Sequence, residues 1–245
     1  MRYMILGAGS GLPDLETHQS SIVVQTANAN FLLDCGEGVS KCLLRHSFNG
    51  NFIDAILISH FHPDHVTGLF MLLQMFYLEG RTKPLRLFLP ERPAAILDTM
   101  HLFYTFEQRF PFTLKIHDVT ELDLYYDNVS PALTDHLSGY ADFITSQHYL
   151  NPMQSYCFSI SEAGKTLLYT ADIATFNNLQ HVLDRADQII ADALHPAAEL
   201  IMSLLDYKAD KIILTHGVSA ALKDWLQHNP HPRFEFAQES VTYQL

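Results

Sequence analysis

Only three cysteines occur in the chain, Cys35, Cys42 and Cys157. An odd count this small excludes a disulfide scaffold and points to a reducing compartment. No apolar run approaches the ~20 residues of a membrane span; the most apolar stretch, Gly68 to Leu78, falls far short. The N-terminus has no apolar segment of signal-peptide length. A cytoplasmic protein without a membrane partner is the expectation. Basic residues are also scarce: 15 Lys and Arg stand against 27 Asp and Glu, a formal net charge of −12. Long-range repulsion then opposes non-specific binding to nucleic acid or anionic lipid, so long nucleic acid is not expected as a partner. Charged residues make up only 17% and hydrophobic residues 48%, which excludes a disordered chain. No repeat, low-complexity tract or Pro/Gly/Ser linker divides the 245 residues. A single domain over residues 1–245 is expected, long enough to bury a sizeable core.

Residue patterning outlines the elements. Tyr3 to Leu6, Ser21 to Thr26 and Asn30 to Asp34 read as strands, the last two as a hairpin around Ala27-Asn28-Ala29. A short helix is expected from Gly36 to Arg45, a compact apolar strand from Asp54 to Ser59, and a helix from Val66 to Leu78 that is apolar nearly all round and hence buried. Leu85 to Leu89 reads as a strand and Pro93 to Phe106 as a helix with proline in its first turn. From Phe112 to Ile160 mostly strands are expected. Strands then alternate with helices: Thr166 to Thr170, Asn177 to Asp184, Gln188 to Ala191, Ala197 to Tyr207, Lys211 to Thr215, Ser219 to Gln227. A β-rich half followed by βαβα predicts an α/β protein with sheets inside and helices outside.

The chemistry concentrates in Ser59-His60-Phe61-His62-Pro63-Asp64-His65. This segment follows a buried strand and precedes a helix. His60 and His62 are two residues apart in extended backbone, so both imidazoles can point the same way. Asp64 and His65 follow a turn forced by Pro63. Three imidazoles and a carboxylate so close together are costly as packing and suit a metal: zinc, with manganese or iron as alternatives. One segment cannot supply every ligand of a two-metal site. His148, Asp172 and His216 each stand just past an apolar run, as distant ligands would.

His-x-His-x-Asp-His, followed by His148, Asp172 and His216, resembles the signature of the metallo-β-lactamase superfamily, and the resemblance covers essentially the whole chain. It implies a four-layer αββα sandwich and two divalent metal ions. His60, His62 and His148 would hold one ion, Asp64, His65 and His216 the other, and Asp172 would bridge them. An aspartate at the bridge and His62 at the second ligand position resemble the hydrolytic phosphodiesterase, thioester-hydrolase and lactonase members. Gly9-Ser10-Gly11-Leu12-Pro13, Leu32-Leu33-Asp34-Cys35-Gly36-Glu37-Gly38 and Leu89-Pro90 are similar to the ribonuclease Z branch. Asp192-Ala193-Leu194-His195-Pro196 with Ile213-Leu214-Thr215-His216 looks more like the cyclic phosphodiesterases of that branch.

Two departures from ribonuclease Z stand out. Pro63 replaces a usual glycine, and His148 and Asp172 are only 24 positions apart, which leaves no room for a tRNA-gripping arm. The resemblance therefore implies a phosphodiesterase acting on a small or cyclic phosphodiester. A thioester or lactone hydrolase and a tRNA 3′-end endonuclease are the alternatives. Paired metals can acidify a bridging water and clamp a phosphoryl oxygen. Asp64 would orient that water or take its proton, and His195 would be the general acid for the leaving group. Asp34 would support a ligand histidine, or else cap the helix from Gly36. A homodimer is implied by analogy only. His101, His117, His136, His181, His228 and His231 show no ligand spacing and read as surface or satisfied histidines. The aromatic run Phe103 to Phe112 reads as core or interface.

Overall fold

A computed structural model describes all residues, 1–245. The chain gathers into two compact units, Met1–Leu122 with Gln238–Gln244, and Asp123–Ala237. Each carries one mixed sheet.

The first unit's sheet has seven strands: β1 (Arg2–Gly7), β2 (Ser21–Gln25), β3 (Asn30–Leu33), β4 (Ala55–Leu57), β5 (Leu85–Leu89), β6 (Leu114–Asp118) and, from the end of the chain, β13 (Thr242–Gln244). Their order is β13-β1-β2-β3-β4-β5-β6. The hairpin expected around Ala27-Asn28-Ala29 is present, pairing Gln25 with Asn30 and Ile22 with Leu33. From β3 to β6 the strands run parallel. All of β4, and Phe31 to Leu33 of β3, are apolar and buried at successive residues, so both faces of these strands are covered. The helices of this unit are α1 (Val39–Arg45), α2 (Pro63–Val66), α3 (Gly68–Leu78) and α4 (Pro93–Leu102). α3 is apolar nearly all round, which predicts a buried helix. It buries Leu69, Leu72, Leu73 and Phe76, a stripe at helical spacing, and leaves Met71 and Leu78 exposed. α4 stops at Leu102, four residues before the expected end. Tyr104 has a φ of 57°, which no α-helix accommodates.

The second unit's sheet has six strands: β7 (Val129–Leu133), β8 (Tyr156–Glu162), β9 (Lys165–Tyr169), β10 (Gln188–Ala193), β11 (Lys211–Val218) and β12 (Phe234–Phe236). Their order is β12-β11-β10-β9-β8-β7. β9 to β12 are parallel, and their apolar face packs on α6 (Gln180–Leu183), α7 (Ala198–Ser203) and α8 (Ala220–His228). Ser219 caps α8, its side chain accepting from the Leu222 amide. The mostly-strand expectation for Phe112 to Ile160 fails in the middle. Ala141–Gln147 forms a helix, α5, with no buried residue. β12 and β13, three residues each, were not foreseen; strands so short leave almost no periodic signal.

Close backbone approach fixes the first unit's loops. The Gly68 amide donates to the Cys35 carbonyl (2.9 Å), and the Cys35 amide donates to the His65 carbonyl (2.8 Å). A Cβ at Gly68 would fall 2.0 Å from the Gly36 carbonyl oxygen, and one at Gly36 would fall 2.4 Å from that of Asp64. Alanine at Gly68 gains about 1 kcal/mol of helix propensity, but overpacking typically costs about 1–3 kcal/mol, and here the clash is with backbone. Gly68→Ala is expected to destabilise by at least about 1 kcal/mol net. Urea titration should show a lower midpoint at unchanged slope; an unchanged midpoint would show that the α3 start is not held this tightly.

Candidate functional site

In the first unit the polar residues gather where β3 and β4 end. Asp34 follows β3 with a φ of 56° and is fully buried. Its Oδ1 accepts the Ser59 amide (2.7 Å) and its Oδ2 the Ser59 hydroxyl (2.9 Å). His65 Nδ1 lies 2.7 Å from the same Oδ2. A carboxylate only accepts, so Nδ1 carries the proton, and in the neutral imidazole Nε2 then presents a lone pair. That lone pair faces Asp64 Oδ2 at 3.5 Å. Two acceptors facing each other in a buried site repel unless a cation or a proton lies between them. The His60 ring centroid lies 4.2 Å from that of His65 and 4.7 Å from that of His62. His60 and His65 are buried completely, Asp64 nearly so. Pro63 sits at the first position of α2, where its fixed φ suits the helix and no amide donor is needed. The glycine-to-proline departure therefore leaves the loop intact.

In the second unit Asp172 is the hub. It follows Ala171, whose φ of 49° turns the chain sharply out of β9, and its side chain is buried. His216 Nε2 lies 3.2 Å from Asp172 Oδ2, His136 Nε2 3.5 Å, and His195 Nδ1 3.7 Å. β11 bulges at His216: Asp192 pairs with Thr215 and the next pair is Ala193 with Val218. The bulge and a φ of 62° re-aim the His216 ring. Asp192, buried at the end of β10, accepts the Leu194 (2.9 Å) and His195 (3.2 Å) amides on Oδ1, and its Oδ2 lies 2.9 Å from His195 Nδ1. This orients the half-exposed His195 ring and directs its Nε2 away from the carboxylate.

The structure places His136, and not His148, beside Asp172. Phe143 to Gln147 was expected to be a strand ending at a ligand. It lies in α5, and His148 is the exposed residue that caps that helix's C-terminal end, with a φ of 57°. His136, read from the sequence as a surface or satisfied histidine, lies at Asp172. It follows β7 through Thr134 and Asp135. Asp135 accepts the Ala174 and Thr175 amides (2.9 and 3.0 Å) and the Thr175 hydroxyl, tying the two loops together. Partial burial pushes the Asp135 carboxyl pKa up, but these hydrogen bonds outweigh it and hold it below the ordinary value. Pro131, tolerated because β7 is an edge strand, hid the strand that would have pointed to His136. Asp192 was quoted in its motif without a role; the Asp-x-x-His spacing after a strand was the available signal. His101 and His117 pair with Glu107 and Glu121.

Carboxylates and imidazoles with fixed tautomers form the donor chemistry of a zinc-type site, and residues of both units fit it. The whole chain superposes on solved structures of one fold. The short form of human tRNase Z matches with a TM-score of 0.74 at 19% identity, covering 100% of this chain and 99% of that one. A diphosphatase of the PhnP family matches at 0.73 with 16% identity, over 100% and 97%. The protein has the metallo-β-lactamase fold, as the motif pattern implied. In sequence, ribonuclease Z of Methanococcus maripaludis (strain C6) is 36% identical over 100 residues, 41% of this chain and 32% of that protein. The matched stretch is thus about a third of that relative's length. A profile of the anti-Pycsar protein Apyc1 family matches residues 1–216, and the chain belongs to that family. No helix is long and apolar enough to cross a membrane.

Asp34→Asn keeps the shape but replaces one acceptor oxygen with an NH2 donor, so either His65 or Ser59 loses its partner. Zinc affinity, measured by chelator competition, is expected to fall about 10- to 100-fold. Unchanged affinity would mean that Asp34 does not set the His65 tautomer.

Proposed function

We propose that the chain is a metal-dependent phosphodiesterase acting on a small or cyclic phosphodiester. In the first unit His60, His62, Asp64 and His65, and in the second His136, Asp172 and His216, are the residues that would hold two divalent ions, zinc first. The observation that carries the reading is the His136–Asp172–His216 arrangement around one buried carboxylate oxygen. When bound, such ions supply Lewis acidity toward a phosphoryl oxygen and acidify water. The remaining work falls to side chains. Asp64, buried but for an edge, accepts a proton from the attacking water or orients it. His195, with Nδ1 on Asp192, donates from Nε2 to the departing alkoxide, and Asp192 stabilises the imidazolium before transfer.

Cleavage at tRNA 3′ ends is the second reading, favoured by the names of the sequence relatives. Substrate gripping argues for the small diester. Residues 137–171 hold one basic side chain, Lys165, already paired with Asp187 at 3.0 Å. Phosphate contacts supply most of the affinity for long RNA. A cytoplasmic location and a homodimer are part of the same proposal, the homodimer by analogy alone.

Metal content separates the two candidate ligands. Elemental analysis of the zinc-loaded protein is expected to give two ions per chain, His136→Ala fewer, and His148→Ala the full number. A loss only in His148→Ala would make His148 the ligand, and one ion in the wild type would remove the dinuclear site.

Activity separates the substrates. The loaded enzyme is expected to hydrolyse bis-p-nitrophenyl phosphate and cyclic nucleotides, and to process precursor tRNA weakly or not at all. His195→Ala should retain its metal and lose about 10²–10⁴-fold in turnover on substrates with poor leaving groups, and less on p-nitrophenyl esters. Equal losses on both would argue against a general acid. Efficient precursor cleavage with small diesters untouched would favour the tRNA reading.

A further inference from the structure

Residues 8–18 form a surface loop whose two ends meet: the Gly9 amide donates to the His18 carbonyl (2.8 Å). Its interior is organised by Asp14, which accepts the Glu16 and Thr17 amides (2.8 and 2.7 Å) and the Thr17 hydroxyl (3.0 Å). The loop passes over the first unit's donor set. An ideal Cβ on Gly11 would lie 3.6 Å from Asp64 Oδ2 and 3.7 Å from Oδ1. Leu12 and Leu15 follow and are exposed, apolar side chains at the loop's free edge.

The loop's base is fastened by a residue from the far end of the chain. Glu239 Oε1 accepts the Ala8 amide (3.1 Å) and the His18 amide (2.8 Å), and its Oε2 lies 2.7 Å from His18 Nδ1. One carboxylate thus binds both ends of the loop. The other ring nitrogen of His18 lies 3.2 Å from an Arg45 guanidinium nitrogen. Glu239 is itself held, since the Ser240 amide donates to the Ile5 carbonyl (2.9 Å) and β13 pairs with β1 from Met4↔Thr242 to Arg2↔Gln244. Hydrogen bonds to an ionised acceptor are about twice as strong as neutral ones.

We propose that Glu239 is a positioning residue: it holds the 8–18 loop over Asp64 and thereby sets turnover. The inference rests on the phosphodiesterase reading for its kinetic consequence, but not for its structural one. With the loop fastened, Asp64 meets substrate beneath a fixed backbone roof that limits water, and Leu12 and Leu15 present an apolar edge to the non-reacting part of a small substrate. With the loop released, the roof is lost while the ligands remain. A displacement of ~1 Å in a positioning element can cost up to about 10²-fold in rate.

Two variants and two readouts test this. Glu239→Gln retains an oxygen for the two amides and loses the charge opposite His18; Glu239→Ala loses both. Hydrogen exchange is expected to rise at the amides of residues 8–18 in both variants, more in Glu239→Ala, with protection in β3 and β4 unchanged. On bis-p-nitrophenyl phosphate kcat should fall about 10- to 100-fold in Glu239→Ala, and less in Glu239→Gln, at unchanged zinc content. Unchanged exchange in both variants overturns the latch. Faster loop exchange with wild-type kcat and KM overturns its role in turnover. If Glu239→Ala fails to fold, Glu239→Gln decides by the same criteria. If the wild type hydrolyses no phosphodiester, the phosphodiesterase reading and the turnover role it supports both fall, and exchange alone judges the latch.

Discussion

The first unit's donor set depends on one buried carboxylate. Asp34 has no solvent exposure, and neither does its partner His65. Removing a carboxylate from water costs several kcal/mol, so Asp34 is stable only with its acceptor sites filled. Ser59 supplies an amide and a hydroxyl, and His65 a ring N–H. These bonds fix the loop after β4 and the first turn of α2 in one step, because Ser59 begins that loop and His65 lies in that turn. The backbone follows: the Asp34 amide donates to Leu57, the next amide to His65, and Gly68 to Cys35. The same carboxylate acts on Cys35. Burial first, and the Asp34 charge second, push that thiol well above its usual pKa, so it stays a neutral packing residue.

The second unit solves the same problem differently. Apart from His136, its polar residues sit at the carboxyl ends of three neighbouring parallel strands, Asp172 after β9, Asp192 and His195 at β10, and His216 in the bulge of β11. Side chains past the ends of parallel strands project into the region where α/β sheets bind ligands. Asp172 and Asp192 divide the labour. Asp192 is saturated by backbone amides and the His195 ring, which makes it a structural anion. Asp172 is approached mainly by imidazoles, which makes it a candidate donor.

How much of this the sequence revealed depended on the local pattern. The His60–His65 cluster was legible because it is dense and follows a compact apolar run, so strand, loop and chemistry coincide within a dozen residues. Asp172 and His216 were legible for the same reason, each behind an uninterrupted apolar strand. His136 was not. Its strand, Val-Ser-Pro-Ala-Leu, contains a proline and lies at the sheet edge, where no apolar face on both sides is required. Phe143-Ile144-Thr145 carries β-forming residues but nucleates a solvent-facing helix, and local propensity is a weak guide where no tertiary packing enforces it. Glu239 lies beyond any such reading, because its partners are more than 200 residues away.

Backbone conformation separates the two classes of turn in this protein. Ten non-glycine residues adopt positive φ. Seven are exposed or half-buried, including Ser47, Arg92 and His148, where a turn is free to relax. Only Asp34, Ala171 and His216 are buried. Left-handed backbone costs a non-glycine residue roughly 1–2 kcal/mol, and such strain persists only where surrounding structure over-determines it. At Asp34 the carboxylate bonds do so, and at His216 the bulge held between β10 and α8. At Ala171 the Thr170 hydroxyl, which bonds the Ala171 carbonyl and accepts the Asp192 amide, supplies the restraint. All three strained residues are donors, supports of donors or their immediate neighbours. An apolar core gains nothing from such turns, whereas a donor set gains the aim of a side chain that regular strand geometry would direct into the sheet's own face.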